Sequence, residues 1–338
     1  MIEIPIHDAR AAAIARLVRG GVPEHEAEIA ATICLEGELW GKRTHGFIHL
    51  RNNLIQYHAA DDRRADRRIE RETPTSALVD GGFHFSYFVH QTAMSLAIEK
   101  ARASGLAMVG TRNGGASGPL GYYAQLAADA GLVGVALNSA PAVVVPPGGT
   151  HAMLSTNPLA VGIPRPDREP LILDMATGAG TYNMLVLAQR AGTPLPEGVA
   201  VDASGAPTTD PFAAVEPSGR PRLLPFGGHK GFGLAFTIEL LCGAGLGAPL
   251  GADKRTEFIH EPSHFTGLYL AYRPDLLVPR AEFDARVEQL VRDVKASAAD
   301  PAVEIRLPGE ESQRRKARIV ARGLLDLDEA TWAFLAEC

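Results

Sequence analysis

Between Ser76 and Leu137, apolar runs of strand length alternate with segments of helical length, and this restricts the fold more than anything else in the chain. Strands are expected over Ser76–Val79, Leu106–Gly110 and Leu132–Leu137, with helices over Ser86–Ser104 and Tyr122–Ala130 between them. Such a succession predicts an α/β class. Glycines 115, 118 and 121 fall between a strand and a helix, where a dinucleotide loop would sit. Their spacing is not GxGxxG, and the next strand ends in Asn138-Ser139 rather than in an acidic ribose ligand. An ordinary Rossmann site is therefore not expected, although the glycines still let a ligand approach the backbone closely.

A hairpin follows. Leu159–Ile163 and Leu171–Leu173 are apolar runs separated by the turn Arg165-Pro166-Asp167-Arg168. Asn157-Pro158 opens it and Asp174-Met175-Ala176-Thr177 closes it; Asn and Asp at strand ends bind their own backbone and leave polar atoms facing a ligand. A second polar segment, Gly227-Gly228-His229-Lys230-Gly231-Phe232-Gly233, opens an apolar helix expected over Phe232–Gly243. Between the two, the Pro-, Gly- and Asp-rich stretch from Pro194 to Pro211 is too long for a passive connector and reads as the border of a site.

Helices are expected at the N-terminus over Ala11–Arg19, from Pro23 to about Trp40 with Gly37 weakening the last turn, and from Ile48 to about Tyr57. Further on come a helix over Ala179–Ala191, a strand over Thr266–Tyr272, a helix over Glu282–Ala296, and a basic helix capped by Pro308-Gly309-Glu310-Glu311.

The chain has 338 residues, 46% of them hydrophobic, enough for a large core divided into two or three domains. Its 33 Lys+Arg against 39 Asp+Glu leave a net charge of -6 with no long basic block, so neither a nucleic-acid groove nor an anionic membrane surface has electrostatic support. The dense charge run Asp61–Glu72 is mixed in sign and reads as a solvated connection. Cys34, Cys242 and Cys338 lack metal-ligand spacing and read as free thiols in a reducing compartment. No apolar leader follows Met1 and no 18-residue apolar span occurs, so a cytoplasmic protein is expected. His260 and His264 flank Pro262 and read as loop histidines rather than metal ligands, and no metal is expected. His84 and His90 read as residues that cap and pack a helix start.

These segments together resemble the malate/L-lactate dehydrogenase-like oxidoreductases, the non-Rossmann group that includes sulfolactate and ureidoglycolate dehydrogenases and the piperideine-2-carboxylate reductases. The resemblance runs through Thr44-His45-Gly46, Asn113 to Tyr123, Pro147-Gly148-Gly149, Thr156 to Ala160, Asp174 to Thr177, Asp202 to Pro211, Lys230 to Leu234 and Pro308-Gly309-Glu310. It implies a mixed-sheet, non-Rossmann cofactor-binding α/β region over residues 73–269 and a helical domain built from residues 1–72 and 270–338. It also implies NAD(P)H as cofactor, a homodimer, and hydride transfer at a 2-oxo acid, 2-hydroxy acid or related imine carbon. Carried over position by position, His45, Asn157, Pro158, Asp174, Met175, Ala176 and Thr177 should line the cofactor, with Ser139 and Ala140 at a further contact. Lys230 and Gly231 should lie near substrate or cofactor, and Gly309, Glu310 and Glu311 near the cofactor's far end.

The substrate side departs from the family pattern. The loop histidine taken as acid/base is Ala116, the arginine that grips the substrate carboxylate is His49, and a Gly-Lys pair is Asn183-Met184. A methyl group exchanges no proton, and a neutral imidazole makes no bidentate carboxylate clamp. His45, His49 and Lys230 remain as catalytic candidates, with Ala116, His49, Tyr182, Met184 and Lys230 bordering the substrate. Three readings follow: a reductase of a cyclic imine or atypical carbonyl; a 2-oxo acid dehydrogenase whose proton transfer has moved to His45, His49 or one of Tyr122, Tyr123 and Tyr182; and a cofactor-binding protein without turnover.

Overall fold

The computed structural model describes residues 1–254, 265–300 and 302–337. The N-terminal part contains β1 (Ile2–Pro5), α1 (Ile6–Arg19), α2 (Glu24–Leu39) and α3 (Ile48–Ala59). The α/β part begins with β2 (Arg68–Thr73), β3 (Ser76–Asp80), α4 (Ser86–Ser104), β4 (Leu106–Gly114), α5 (Gly121–Asp129) and β5 (Val133–Ser139). It continues through β6 (Leu159–Ile163), β7 (Leu171–Met175), α6 (Tyr182–Ala191), β8 (Ala200–Val201), β9 (Pro207–Thr208) and α7 (His229–Cys242). Last come β10 (Phe265–Tyr272), α8 (Arg280–Ala296), α9 (Glu310–Arg322), β11 (Leu324–Leu327) and α10 (Glu329–Ala336).

Seven strands form one mixed sheet in the order β2-β3-β4-β10-β5-β6-β7, with β3 and β4 parallel and the other neighbours antiparallel. The parallel pair is joined by α4, the connection a parallel pair requires. Side-chain alternation along β10 serves two faces. Tyr269 and Ala271 enter the large core with α4 and α5, whereas Leu268 and Leu270 pack with Ile238 and Cys242 of α7. The large core also takes in Ala9 and Ala30 of the N-terminal helices, Leu50 of α3 and Phe334 of α10. The terminal helices and the sheet thus share one core, and β2 and β10 straddle the boundaries expected at residues 72 and 270.

The expected hairpin is present as β6–β7, paired from Leu159↔Met175 to Ile163↔Leu171, so Asp174 and Met175 belong to the strand itself. The charge run 61–72 is not merely a connection. Its second half is β2, an edge strand whose Glu70 meets Arg68 at 3.2 Å and Arg112 at 2.6 Å. Charged side chains suit an edge strand, since they discourage further pairing. The stretch 194–211 contributes the ribbon β8–β9, and Leu195, Val199 and Ala200 join a small core with Leu185 of α6 and Leu223. Helix α7 begins at His229, so the glycine-rich segment is its first turn. A Cβ at Gly231 would overlap the Phe226 carbonyl oxygen and approach Phe226 N and C at 3.0 Å. Because Phe226 donates its N–H to Thr177 O at 2.9 Å, that glycine holds the start of α7 against the end of the hairpin.

Cys34 and Cys242 are free and buried. Cys338, His260 and His264 lie outside the described residues. Among the described residues, no three His, Cys, Asp or Glu side chains are grouped to hold a metal, and no helix is long and apolar enough to cross a membrane.

Candidate active site

The turn carrying His45 is fixed from below by α2. A Cβ at Gly37 would lie 2.7 Å from His45 O, so only glycine lets the helix approach that backbone. Buried Glu38 accepts the Phe47 N–H at 2.9 Å and lies hard against Gly46, where a side chain would overlap its carboxyl. Burial pushes the Glu38 carboxyl up to about 7; the Phe47 N–H and Arg43 pull it down, and Asp328 pushes it up. The glycine that weakens the helix by propensity is the one that permits this packing.

His45 and His49 stand with ring centroids 5.6 Å apart. Asn183 Nδ2 lies 3.2 Å from Thr44 O and 3.0 Å from His49 Nε2. A carbonyl only accepts, so the amide nitrogen faces this side and its second hydrogen points at His49, whose Nε2 is then the acceptor. Burial, then the charge of His45, lowers the His49 pKa to about 3, with the Thr44 backbone partly offsetting them. His49 is therefore a neutral ring already engaged by protein groups. The His45 pKa is lowered as well, chiefly by burial, with Asp174 opposing and Lys42 adding to the shift. Both imidazoles are neutral at physiological pH, which equips His45 as a base more than as an acid. Tyr182 and Met184 flank Asn183 at the start of α6, where Thr181 accepts the Met184 N–H at 3.2 Å.

The glycine loop is pinned by groups beneath it. His90 Nε2 lies 2.7 Å from Gly115 O, which fixes the proton on that nitrogen and leaves Nδ1 to accept from Tyr269 OH at 2.7 Å. Tyr123 OH donates to Ser117 O at 2.7 Å. Burial lowers the His90 pKa to about 4, so this ring serves packing and the loop presents only the Ala116 methyl between its two anchors.

Ser139 and Asn157 meet in a buried cluster with Glu239 of α7 and Lys254. Ser139 Oγ lies 2.7 Å from Glu239 Oε2 and 3.0 Å from Asn157 Oδ1, and its one proton serves one of them at a time. Asn157 Nδ2 donates to Ala235 O at 2.8 Å and Glu239 Oε2 at 3.0 Å. Lys254 donates to Ser139 Oγ, and its ammonium forms an ion pair with Glu239 Oε1 at 2.6 Å. These bonds, and Thr177 Oγ1 donating to Asn157 O at 3.2 Å, hold Asn157 at φ 27°, a strained value for a residue with a side chain. Ala140 and Pro158, partly buried, follow Ser139 and Asn157 directly, and Met175 and Ala176 lie between Asp174 and Thr177.

Across the hairpin, Asp174 receives the Lys42 ammonium, and both line a cavity of about 190 Å³ with Trp40, Ile172, Gly309 and Gln313. A Cβ at Gly309 (φ 88°) would come 3.0 Å from Ile172 O, and one at Gly121 3.0 Å from the Asp174 carboxylate. Backbone thus closes on the strand where side chains are excluded, and a carboxylate, an ammonium and an indole face one space. That donor set fits a nucleotide's sugar and base. Glu310 and Glu311 are turned to the protein, Glu310 onto Lys295 at 2.6 Å and Glu311 onto Arg306 at 3.1 Å. Lys230 is exposed on the first turn of α7 with no ion pair among the described residues, and Gly231 beside it is buried.

Of the residues expected at the site, His45, His49 and Asp174 lie near one another, Ser139 with Asn157 forms the second group, and Gly309 adjoins the first. Asn183 was noted only as a departure from the family pattern, and Lys42, Glu38, Glu239 and Lys254 were not expected there. Glu239 had a readable signal, a carboxylate in an otherwise apolar helix; the others become neighbours only through tertiary folding.

A profile of the malate/L-lactate dehydrogenase family matches residues 4–336. The chain is 38% identical over 314 residues to the L-sulfolactate dehydrogenase of Methanothermobacter thermautotrophicus, an overlap of 91% of this chain and 88% of that one. It superposes on the sulfolactate dehydrogenase of Methanocaldococcus jannaschii with a TM-score of 0.85 at 32% identity, covering 99% and 95% of the two chains. On the delta1-piperideine-2-carboxylate reductase of Pseudomonas syringae the TM-score is 0.87 at 27% identity, with 99% of each chain covered. Matched over nearly its whole length, the chain belongs to the malate/L-lactate dehydrogenase family of oxidoreductases.

Proposed function

We propose that the chain is a nicotinamide-dependent reductase acting on a cyclic imine or an atypical carbonyl compound. The observation that carries this concerns the described residues on the substrate side: Ala116 replaces the loop histidine, His49 is engaged by Asn183 and kept neutral by burial and the charge of His45, and His45 is neutral as well. When bound, the dinucleotide supplies or accepts the hydride. Asp174 and Gly309 would hold its sugar, and the Trp40 wall would keep water from the base. A protonated imine brings its own proton, so its reduction asks nothing of these histidines. Similarity in fold to a piperideine-carboxylate reductase is in keeping with this reading.

A 2-hydroxy acid substrate is the second reading, favoured by 38% identity to a sulfolactate dehydrogenase. There His45, as a neutral base, would take the hydroxyl proton during oxidation. Comparing kcat/KM for a cyclic imino acid and its open 2-oxo acid counterpart separates the two. The first reading expects the imine to be ahead by about 10²–10⁴, the usual worth of a general acid. Equal rates would overturn it in favour of the second.

We further propose a homodimer built on α7. Leu234, Phe236, Leu240 and Leu241 are each 42–48% exposed on the side of this one helix turned away from the core, an apolar face that a second copy would cover. Light scattering should return twice the chain mass of 35.9 kDa, and Leu240→Asp with Phe236→Asp should return the single chain. A wild-type monomer at micromolar concentration would overturn the proposal.

A further inference from the structure

We propose that Lys42 and Arg315 form a cationic seat for a 2′-phosphate, so that the chain takes NADP(H) in preference to NAD(H). The inference rests on the dinucleotide reading above and goes beyond it to the form of the cofactor.

A carboxylate beside a nucleotide cavity accepts ribose hydroxyls and repels a phosphate carried on that ribose. In this chain the Asp174 carboxylate is not alone, because the Lys42 ammonium sits directly on Oδ2 and lines the same cavity. The pair neutralises the repulsion and leaves the carboxylate's second oxygen for a hydroxyl. Lys42 also lies 5.9 Å from the Trp40 ring centroid, which keeps the ammonium at the cavity wall.

A second cation stands beside the first. Arg315 lies across Gly41, the residue before Lys42; a Cβ there would come within 2.5 Å of Arg315 Nη1 and 2.7 Å of Cζ. The other basic side chains of α9 are committed: Arg314 to Glu304, Lys316 to Glu36 at 2.8 Å, Arg318 to Glu311 at 3.3 Å and Arg322 to Asp326 at 2.8 Å. Arg315 is the basic residue of this helix with no hydrogen bond or ion pair among the described residues. Ser312, one turn earlier on the same face, lines the cavity. A hydroxyl and an ammonium line the cavity, and a planar guanidinium with free donors lies over Gly41 next to that ammonium, a set that matches a phosphate dianion.

The test is binding, independent of turnover. Dissociation constants for NADPH and NADH are measured on the full chain by energy transfer from tryptophan, since Trp40 lines the cavity, and by calorimetry. NADPH is expected to bind at least about tenfold more tightly at low salt, in line with charge-assisted contacts to phosphate, and the margin should shrink as salt is raised. Arg315→Ala, an exposed change that should leave the melting temperature in place, is expected to remove most of that margin while NADH affinity stays within about twofold. Lys42→Ala also uncovers Asp174 and is therefore read only as the ratio of NADPH to NADH affinity, which should fall. Adenosine 2′,5′-bisphosphate should outbind AMP and lose its advantage in both variants. NADH binding as tightly as NADPH, or Arg315→Ala weakening the two equally, would overturn the seat while leaving the dinucleotide reading intact. Failure of both dinucleotides to bind would overturn the two together.

Discussion

His45→Ala is expected to divide the two substrate classes. Turnover of a hydroxy acid or its oxo acid should fall by about 10²–10⁴ in kcat, whereas imine reduction should stay within about tenfold. The asymmetry follows from what each substrate lacks. An oxo acid needs a proton on the nascent alkoxide, and with Ala116 in the loop and His49 locked by Asn183, His45 is the remaining imidazole of the pair able to exchange one. An imine arrives with its proton. Because the His45 pKa is lowered, its acid form is populated only below the ordinary histidine range, so ketone reduction should rise as the pH is lowered toward that range. Imine reduction should lack this dependence on His45. The melting temperature should change little, which keeps a lost proton donor apart from a damaged fold. If His45→Ala cuts imine and ketone turnover alike, the histidine serves both and the self-supplied proton is excluded.

Glu38→Gln should make the protein more stable at neutral pH, by on the order of 3 kcal/mol, and flatten its dependence on pH. The carboxyl has an ordinary value of 4.5 in the open chain and about 7 when folded, the shift arising mainly from burial. A raised pKa means that the folded state favours the protonated form. Its stabilising contribution is complete below about 4.5 and is lost as the pH rises through about 7. Glutamine is fixed in the neutral state and keeps an oxygen to accept the Phe47 N–H. Thermal melts between pH 4 and pH 8 should therefore coincide at the acid end and diverge toward neutrality, with the variant higher. Parallel curves would show that Glu38 does not carry this titration.

What could be read in advance followed strong local patterns. The β6–β7 hairpin and α4 were legible because alternation and helical periodicity ran unbroken to clear turn residues. The charges of Arg68 to Glu72 hid β2, since an edge strand facing water carries no apolar stripe. Gly37 was legible only as a weak point in a helix, because its reason is the His45 backbone eight residues later. Motif resemblance located Asp174, but not the Lys42 that sits on it from 132 positions away. The substitutions Ala116 and His49 were readable as losses; the low pKa of His49 was not, because burial in the folded chain is its main cause.

The position of β10 has a consequence for synthesis. This strand lies between β4 and β5, antiparallel to both, yet is made more than a hundred residues after them. Until Tyr272 has left the ribosome, β4 and β5 cannot be joined in the final sheet, and each has an edge with open backbone donors and acceptors. The nascent chain therefore passes most of its length as two unfinished half-sheets, β2-β3-β4 and β5-β6-β7. Such edges are what chaperones shield and what aggregation recruits. One late strand closes both.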